Sequence, residues 1–139
     1  MPSLPLLLLV DDDDITNFLN TSLLQYIDPA VRVLTALNGQ EALNLLRIHC
    51  QPSTPQCPAL IFLDINMPVM DGFEFLEAYQ HLPATQRQGM VVVMLTTSVN
   101  PHDLARLQGL PIAGLLSKPL TEAKVAQVLA DYFPSSPAQ

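Results

Sequence analysis

The chain has 139 residues, a formal net charge of −7 and 49% hydrophobic residues. That is the length of one domain with a single core, too apolar for intrinsic disorder. It is also too acidic for the basic patches that nucleic acid or an anionic membrane surface requires.

The opening apolar stretch, Pro5 to Val10, is too short to cross a bilayer. It also lacks the basic flank and small-residue cleavage site of a signal peptide. Val31 to Ala36 is a β-rich second strand. Between the two, Ile15, Leu19, Leu23 and Ile27 recur every fourth residue and predict one apolar helix stripe. Asp13 or Asp14 can cap that helix, and Asp28-Pro29 ends it. Asn38-Gly39 turns into a helix over 40–49 with Ala42, Leu45, Leu46 and His49 on one side. Gln51 to Pro58 holds three prolines and reads as a loop. Cys50 and Cys57, the only cysteines, are expected as reduced thiols of a cytoplasmic protein. Two cysteines would supply only half a structural zinc shell.

Leu60 to Asp64 is the third strand. After the loop 66–70, Asp71-Gly72 opens a helix to about Leu82, with Phe75, Leu76, Tyr79 and Leu82 inward and Asp71 as its N-cap. Met90 to Leu95 is the fourth strand. Asn100-Pro101 caps a helix that ends near Gly109. Ile112 to Ser117 is the fifth strand. Thr121-Glu122 begins a last helix with Val125, Val128, Leu129 and Phe133 inward. Residues 1–134 are expected to form the domain and 135–139 a flexible tail. His49, His81 and His102 have no partner at metal-ligand spacing.

Strands that alternate with helices demand parallel pairing and right-handed crossovers. The expected fold is a (βα)5 three-layer α/β sandwich with a flavodoxin-like sheet of order 2-1-3-4-5. Its carboxyl edge would collect the polar residues that follow each apolar run: Asp11 and Asp12 after the first strand, Asp64 after the third, Thr96 and Thr97 after the fourth, and Lys118 after the fifth. Carboxylates, completed by water and phosphate oxygens, suit Mg²⁺, with Mn²⁺ as substitute. A carboxylate can accept a phosphoryl group covalently, and Lys118 can neutralise its equatorial oxygens.

Four segments carry a resemblance: Val10-Asp11-Asp12-Asp13; Phe62 through Gly72; Met94-Leu95-Thr96-Thr97-Ser98; and Ser117-Lys118-Pro119-Leu120. In this order and spacing the chain resembles a receiver domain of a two-component response regulator, of the stand-alone type. The resemblance implies that Asp64 is the phosphoacceptor. Asp12 would bind Mg²⁺ directly, Asp11 often through water, and Asn66 through its backbone carbonyl. Thr96, with Thr97 beside it, supplies the switch hydroxyl, and Lys118 the phosphate-binding ammonium. Pro119 would follow a cis bond, and Asn66 and Ser98 would tune hydrolysis. The implied partner is a sensor histidine kinase or a histidine phosphotransfer protein, with no nucleic acid or membrane, and a monomer or weak dimer is expected. The protein would be no enzyme beyond its own phosphorylation and dephosphorylation. Leu115 departs from the pattern, since receivers that signal through an aromatic carry it three residues before the lysine. The alternative is a Mg-dependent phosphatase or phosphotransferase of the haloacid dehalogenase type. That family expects a second Asp two residues after its nucleophile, where this chain has Asn66.

Overall fold

A computed structural model describes residues 4–51, 57–83, 89–97 and 101–133. The elements run β1 (Leu7–Val10), α1 (Asp14–Ile27), β2 (Val33–Ala36), α2 (Gly39–His49), β3 (Leu60–Asp64), α3 (Gly72–Gln80), β4 (Val91–Thr96), α4 (Pro101–Leu107), β5 (Gly114–Ser117) and α5 (Glu122–Tyr132). The five strands are parallel, in the order β2-β1-β3-β4-β5. The expected topology is therefore the observed one.

The layering follows from strand alternation. Leu8, Val10, Ile61, Leu63, Val92 and Met94 point to one side of the sheet, against α2, α3 and Leu107 of α4. Leu7, Leu9, Leu60, Phe62, Val93 and Leu95 point to the other, against α1 and α5. Being buried on both faces, β1, β3 and β4 read in the sequence as unbroken apolar runs. On α5, Val125 and Val128 are buried, and Leu129 and Phe133 pack at the margin.

Two expectations are corrected. On α1, Ile27 is buried and Leu23 half-buried, but Ile15 is 67% exposed and Leu19 59%. The inward face is instead Asn17, Leu24 and Ile27. At about 100° per residue, a spacing of four advances about 40° at each step. The stripe thus winds from the buried side at Ile27 out to solvent at Ile15. The second correction is Cys50 and Cys57, which are joined in a disulfide rather than held as free thiols. The bond ties the C-cap of α2 to the approach to β3. The expected N-cap Asn100, the tuning residue Ser98 and the tail 135–139 lie outside the described residues.

Gly72 sets the distance between the start of α3 and the end of β3. Its N–H donates to the Ile65 carbonyl at 2.8 Å. A Cβ there would stand 2.6 Å from the Asp64 carbonyl oxygen and 2.8 Å from Met94 Cε. Only glycine lets the helix approach this closely. Asp71 then caps α3 reciprocally: its side chain accepts from Glu74 N–H, and Glu74 Oε1 accepts from Asp71 N–H.

Candidate functional site

The site lies where β1, β3, β4 and β5 end. Val10 pairs with Leu63, Asp64 with Leu95, and Thr96 with Ser117. The next residues along β1 and β3 are therefore neighbours, which brings Asp11 beside Asp64. Carboxylate oxygens of Asp11, Asp12 and Asp64 lie within 4.8 Å of one another. Asp11 and Asp64 are buried, and Asp12 faces solvent.

Lys118 reaches this cluster from the far edge. Its Nζ is 2.8 Å from Asp11 Oδ2 and 3.2 Å from Asp64 Oδ1. Its own N–H donates to the Thr96 carbonyl at 2.7 Å, which fixes the root of the side chain to β4. The Lys118–Pro119 bond is cis. Thr96 is buried at the end of β4, whereas Thr97 is exposed. Thr97 lines, with Lys118, Leu95 and Leu120, a cleft under α1. Asn66 is exposed in the loop two residues past Asp64.

The electrostatics follow from this packing. Burial raises the Asp64 pKa above the usual carboxylate value. Lys118 opposes that shift, while Asp11 and Asp12 add to it. For Lys118, burial works against the charge. The hydrogen bond to Asp11 and the charge of Asp64 outweigh it, so its pKa is raised. The ammonium is thus held charged between two acids. Three carboxylates against one ammonium leave an excess of negative charge, and a hard divalent cation relieves such repulsion. The donor set, all oxygen and no nitrogen or sulfur, fits Mg²⁺.

Asp13 is not part of the cluster. It is the N-cap of α1, where its carboxylate accepts from Ile15 N–H at 3.0 Å and from the Thr16 hydroxyl at 2.9 Å. Those bonds, led by the one from Thr16, lower its pKa. Its N–H in turn donates to Asp11 Oδ1 at 2.9 Å. Both Asp11 oxygens therefore already have protein donors, which suits a ligand that reaches a metal through water.

Asn17 escaped the sequence analysis. It is buried on α1, and its Nδ2 donates to the Asp11 carbonyl at 2.9 Å and the Ala36 carbonyl at 3.3 Å. It ties the acidic turn to the end of β2. The available signal is its spacing, seven residues before Leu24, which puts it on the same side of the helix as that buried residue.

A sequence model described as the response regulator receiver domain matches residues 7–130. Among curated proteins, the probable methanogenesis regulatory protein FilR2 of Methanothrix harundinacea is 28% identical over 116 residues, 84% of this chain and 73% of that protein. The sensor histidine kinase GacS of Pseudomonas protegens is 32% identical over 127 residues, 90% of this chain but only 13% of GacS. Among solved structures, a two-component response regulator from Cytophaga hutchinsonii superposes with a TM-score of 0.82 at 27% identity, covering 96% of this chain and all of that one. The haloacid dehalogenase alternative finds no support in these matches.

Proposed function

The chain belongs to the response regulator receiver domain family, a family of phosphoacceptor signalling modules, and from that premise we propose that Asp64 is the phosphorylated residue. The observation that carries this reading is the bridge of Lys118 between Asp11 and Asp64, inside a triad of carboxylates at the strand ends.

In the proposed reaction a carboxylate oxygen of Asp64 attacks phosphorus, and the bond from phosphorus to the donor's leaving atom breaks. With a phosphohistidine donor, the imidazole nitrogen leaves. Asp64 is held for attack at the end of β3, with its main chain backed by the start of α3. Lys118 turns from the carboxylates to the incoming phosphoryl oxygens as a point charge. The Thr96 hydroxyl donates to a phosphoryl oxygen once the acyl phosphate exists. Asp12 and Asp64, the Asn66 carbonyl, and Asp11 through water would hold Mg²⁺, which would neutralise charge on the transferring group.

The donor is a histidine kinase or a histidine phosphotransfer protein. We place the protein in the cytoplasm on its phosphodonor and not on its cysteines, whose disulfide runs against the cytosolic norm, as a monomer or weak dimer that takes up phosphate in its own Mg-dependent reaction. It then passes the group on or binds a protein target. No described helix is long and apolar enough to cross a membrane. Asn66 and Ser98 carry neither charge nor a useful base, so no unusually fast self-hydrolysis is expected.

The test is incubation with acetyl phosphate and Mg²⁺, read by intact mass. One added phosphoryl group is expected, absent from Asp64→Asn and after chelation. A full mass gain in Asp64→Asn would refute the assignment.

A further inference from the structure

The chain holds only two lysines, Lys118 and Lys124, and both serve the same loop. Lys124 sits three residues after Thr121, the N-cap of α5, whose hydroxyl accepts from Lys124 N–H at 3.2 Å. That is the place where a capping box puts a glutamate, to bond back to the cap. It is also the positive end of the helix, where a cation is disfavoured. A lysine at this position needs compensating acceptors, and the structure supplies them. The ammonium folds back past the cap and donates to the Ser117 carbonyl at 2.7 Å, the Pro119 carbonyl at 2.9 Å and the Ser117 hydroxyl at 3.2 Å. Ser117 and Pro119 are the residues on either side of Lys118.

The loop that carries Lys118 is therefore pinned twice. Its own N–H is bound to Thr96 on the β4 side, and its two flanking residues are bound to one cation on the α5 side. These are charge-assisted bonds, the stronger class. With the main chain fixed on both sides, the Lys118 stem starts from one point and its ammonium arrives between Asp11 and Asp64.

We propose that Lys124 is a positioning residue for the phosphoryl-binding lysine: by clamping the carbonyls of Ser117 and Pro119 it sets the reach of Lys118 into the site. This rests on the reading of Lys118 as the group that meets the phosphoryl oxygens. Lys124 touches neither the carboxylates nor the transferring group. Its effect runs through Lys118 and leaves the metal ligands in place.

The test is a double-mutant cycle on the initial rate of acetyl phosphate-dependent phosphorylation at saturating Mg²⁺, with Mg²⁺ affinity titrated beside it. Lys124→Met keeps the stem and removes the charge. It should slow phosphorylation about tenfold, since misplacement of a catalytic group by an ångström costs up to about 100-fold. Mg²⁺ affinity should stay within about twofold, because no metal ligand is moved. Lys124→Arg, which retains the charge and donors, should recover most of the rate. In a Lys118→Met background, Lys124→Met should add nothing. A rate unchanged in Lys124→Met, or an equal slowing with and without Lys118, would overturn the proposal while the site reading stands. A normal rate in Lys118→Met alone would instead overturn the site reading. Should Lys124→Met fail to fold, Lys124→Gln against Lys124→Arg decides, and equal rates for the two would refute a charged clamp.

Discussion

Lys118→Met isolates the lysine that links the two buried acids. The substitution keeps a flexible stem of similar length and deletes one charge. At an effective dielectric of about 20 and about 3 Å, each pair has a gross attraction of about 5 kcal/mol. Most of that repays desolvation, so the gross sum is not the loss. Breaking a buried pair by removing one partner costs about 3–5 kcal/mol. Here the lysine side chain is 19% exposed and those of Asp11 and Asp64 are 7% and 9%. The partly solvated edge puts the loss at about 2–3 kcal/mol in the absence of metal. For a domain of this size that is a fall in Tm of roughly 7–10 °C. A divalent cation supplies the missing positive charge, and the variant's uncompensated carboxylates should bind it more tightly than the wild-type site does. Binding to the folded state alone adds about 2.7 kcal/mol at a hundredfold excess over Kd. Thermal denaturation in chelator and then in saturating Mg²⁺ should therefore show a wide gap between the two proteins that narrows with metal. A deficit of the same size in both conditions, or none in chelator, would refute the view that Lys118 is the cluster's counter-ion.

Gly72→Ala forces a Cβ against the Asp64 carbonyl oxygen and Ile65 Cα, both backbone atoms that cannot step aside; urea denaturation should show a loss of about 1–3 kcal/mol. An unchanged midpoint would mean that α3 can pull back without cost. Reducing the Cys50–Cys57 bond reopens a loop of sequence separation 7; chain entropy puts the cost at about 2 kcal/mol. A urea midpoint that ignores dithiothreitol, with the free thiols confirmed by alkylation, would contradict this. In Mg²⁺ titration, Asp12→Asn should weaken binding far more than Asp13→Asn, because Asp13 is spent on capping α1. Equal losses would refute the division of labour along the four aspartates.

Much of the architecture was legible because its inner strands are buried on both faces, so that runs such as Leu60 to Leu63 needed no partner to be recognised. The site was legible for a related reason: in a parallel sheet every strand delivers its next residue to the same edge, so Asp11, Asp64, Thr96 and Lys118 converge whatever the helices do. The misreadings lie where spacing alone had to decide. A run of four-residue intervals looks like one stripe on paper, yet it drifts far enough along α1 to leave Ile15 and Leu19 in water and to bury Asn17. The cysteines are seven apart, and nothing in that interval says whether the prolines between them bring the sulfurs together. Lys124 carries no motif in the sequence. Its identity as a clamp depends on the chain returning from Thr121 towards Ser117, which a linear pattern does not display.

The contact between Lys118 and Asp11 joins residues 107 apart in sequence. A nascent chain that has emerged through β4 already carries all three acids but not the cation that balances them. Until β5 docks, the acidic edge lacks the one cation that, among the described residues, is ion-paired to it. Long-range parallel pairing of this kind is among the slower steps of folding. Completion of the acidic cluster thus coincides with completion of the sheet, and a chain truncated before its last strand would hold its aspartates without the ammonium that bridges two of them. Electrostatic balance at the strand ends is in this way a late product of folding.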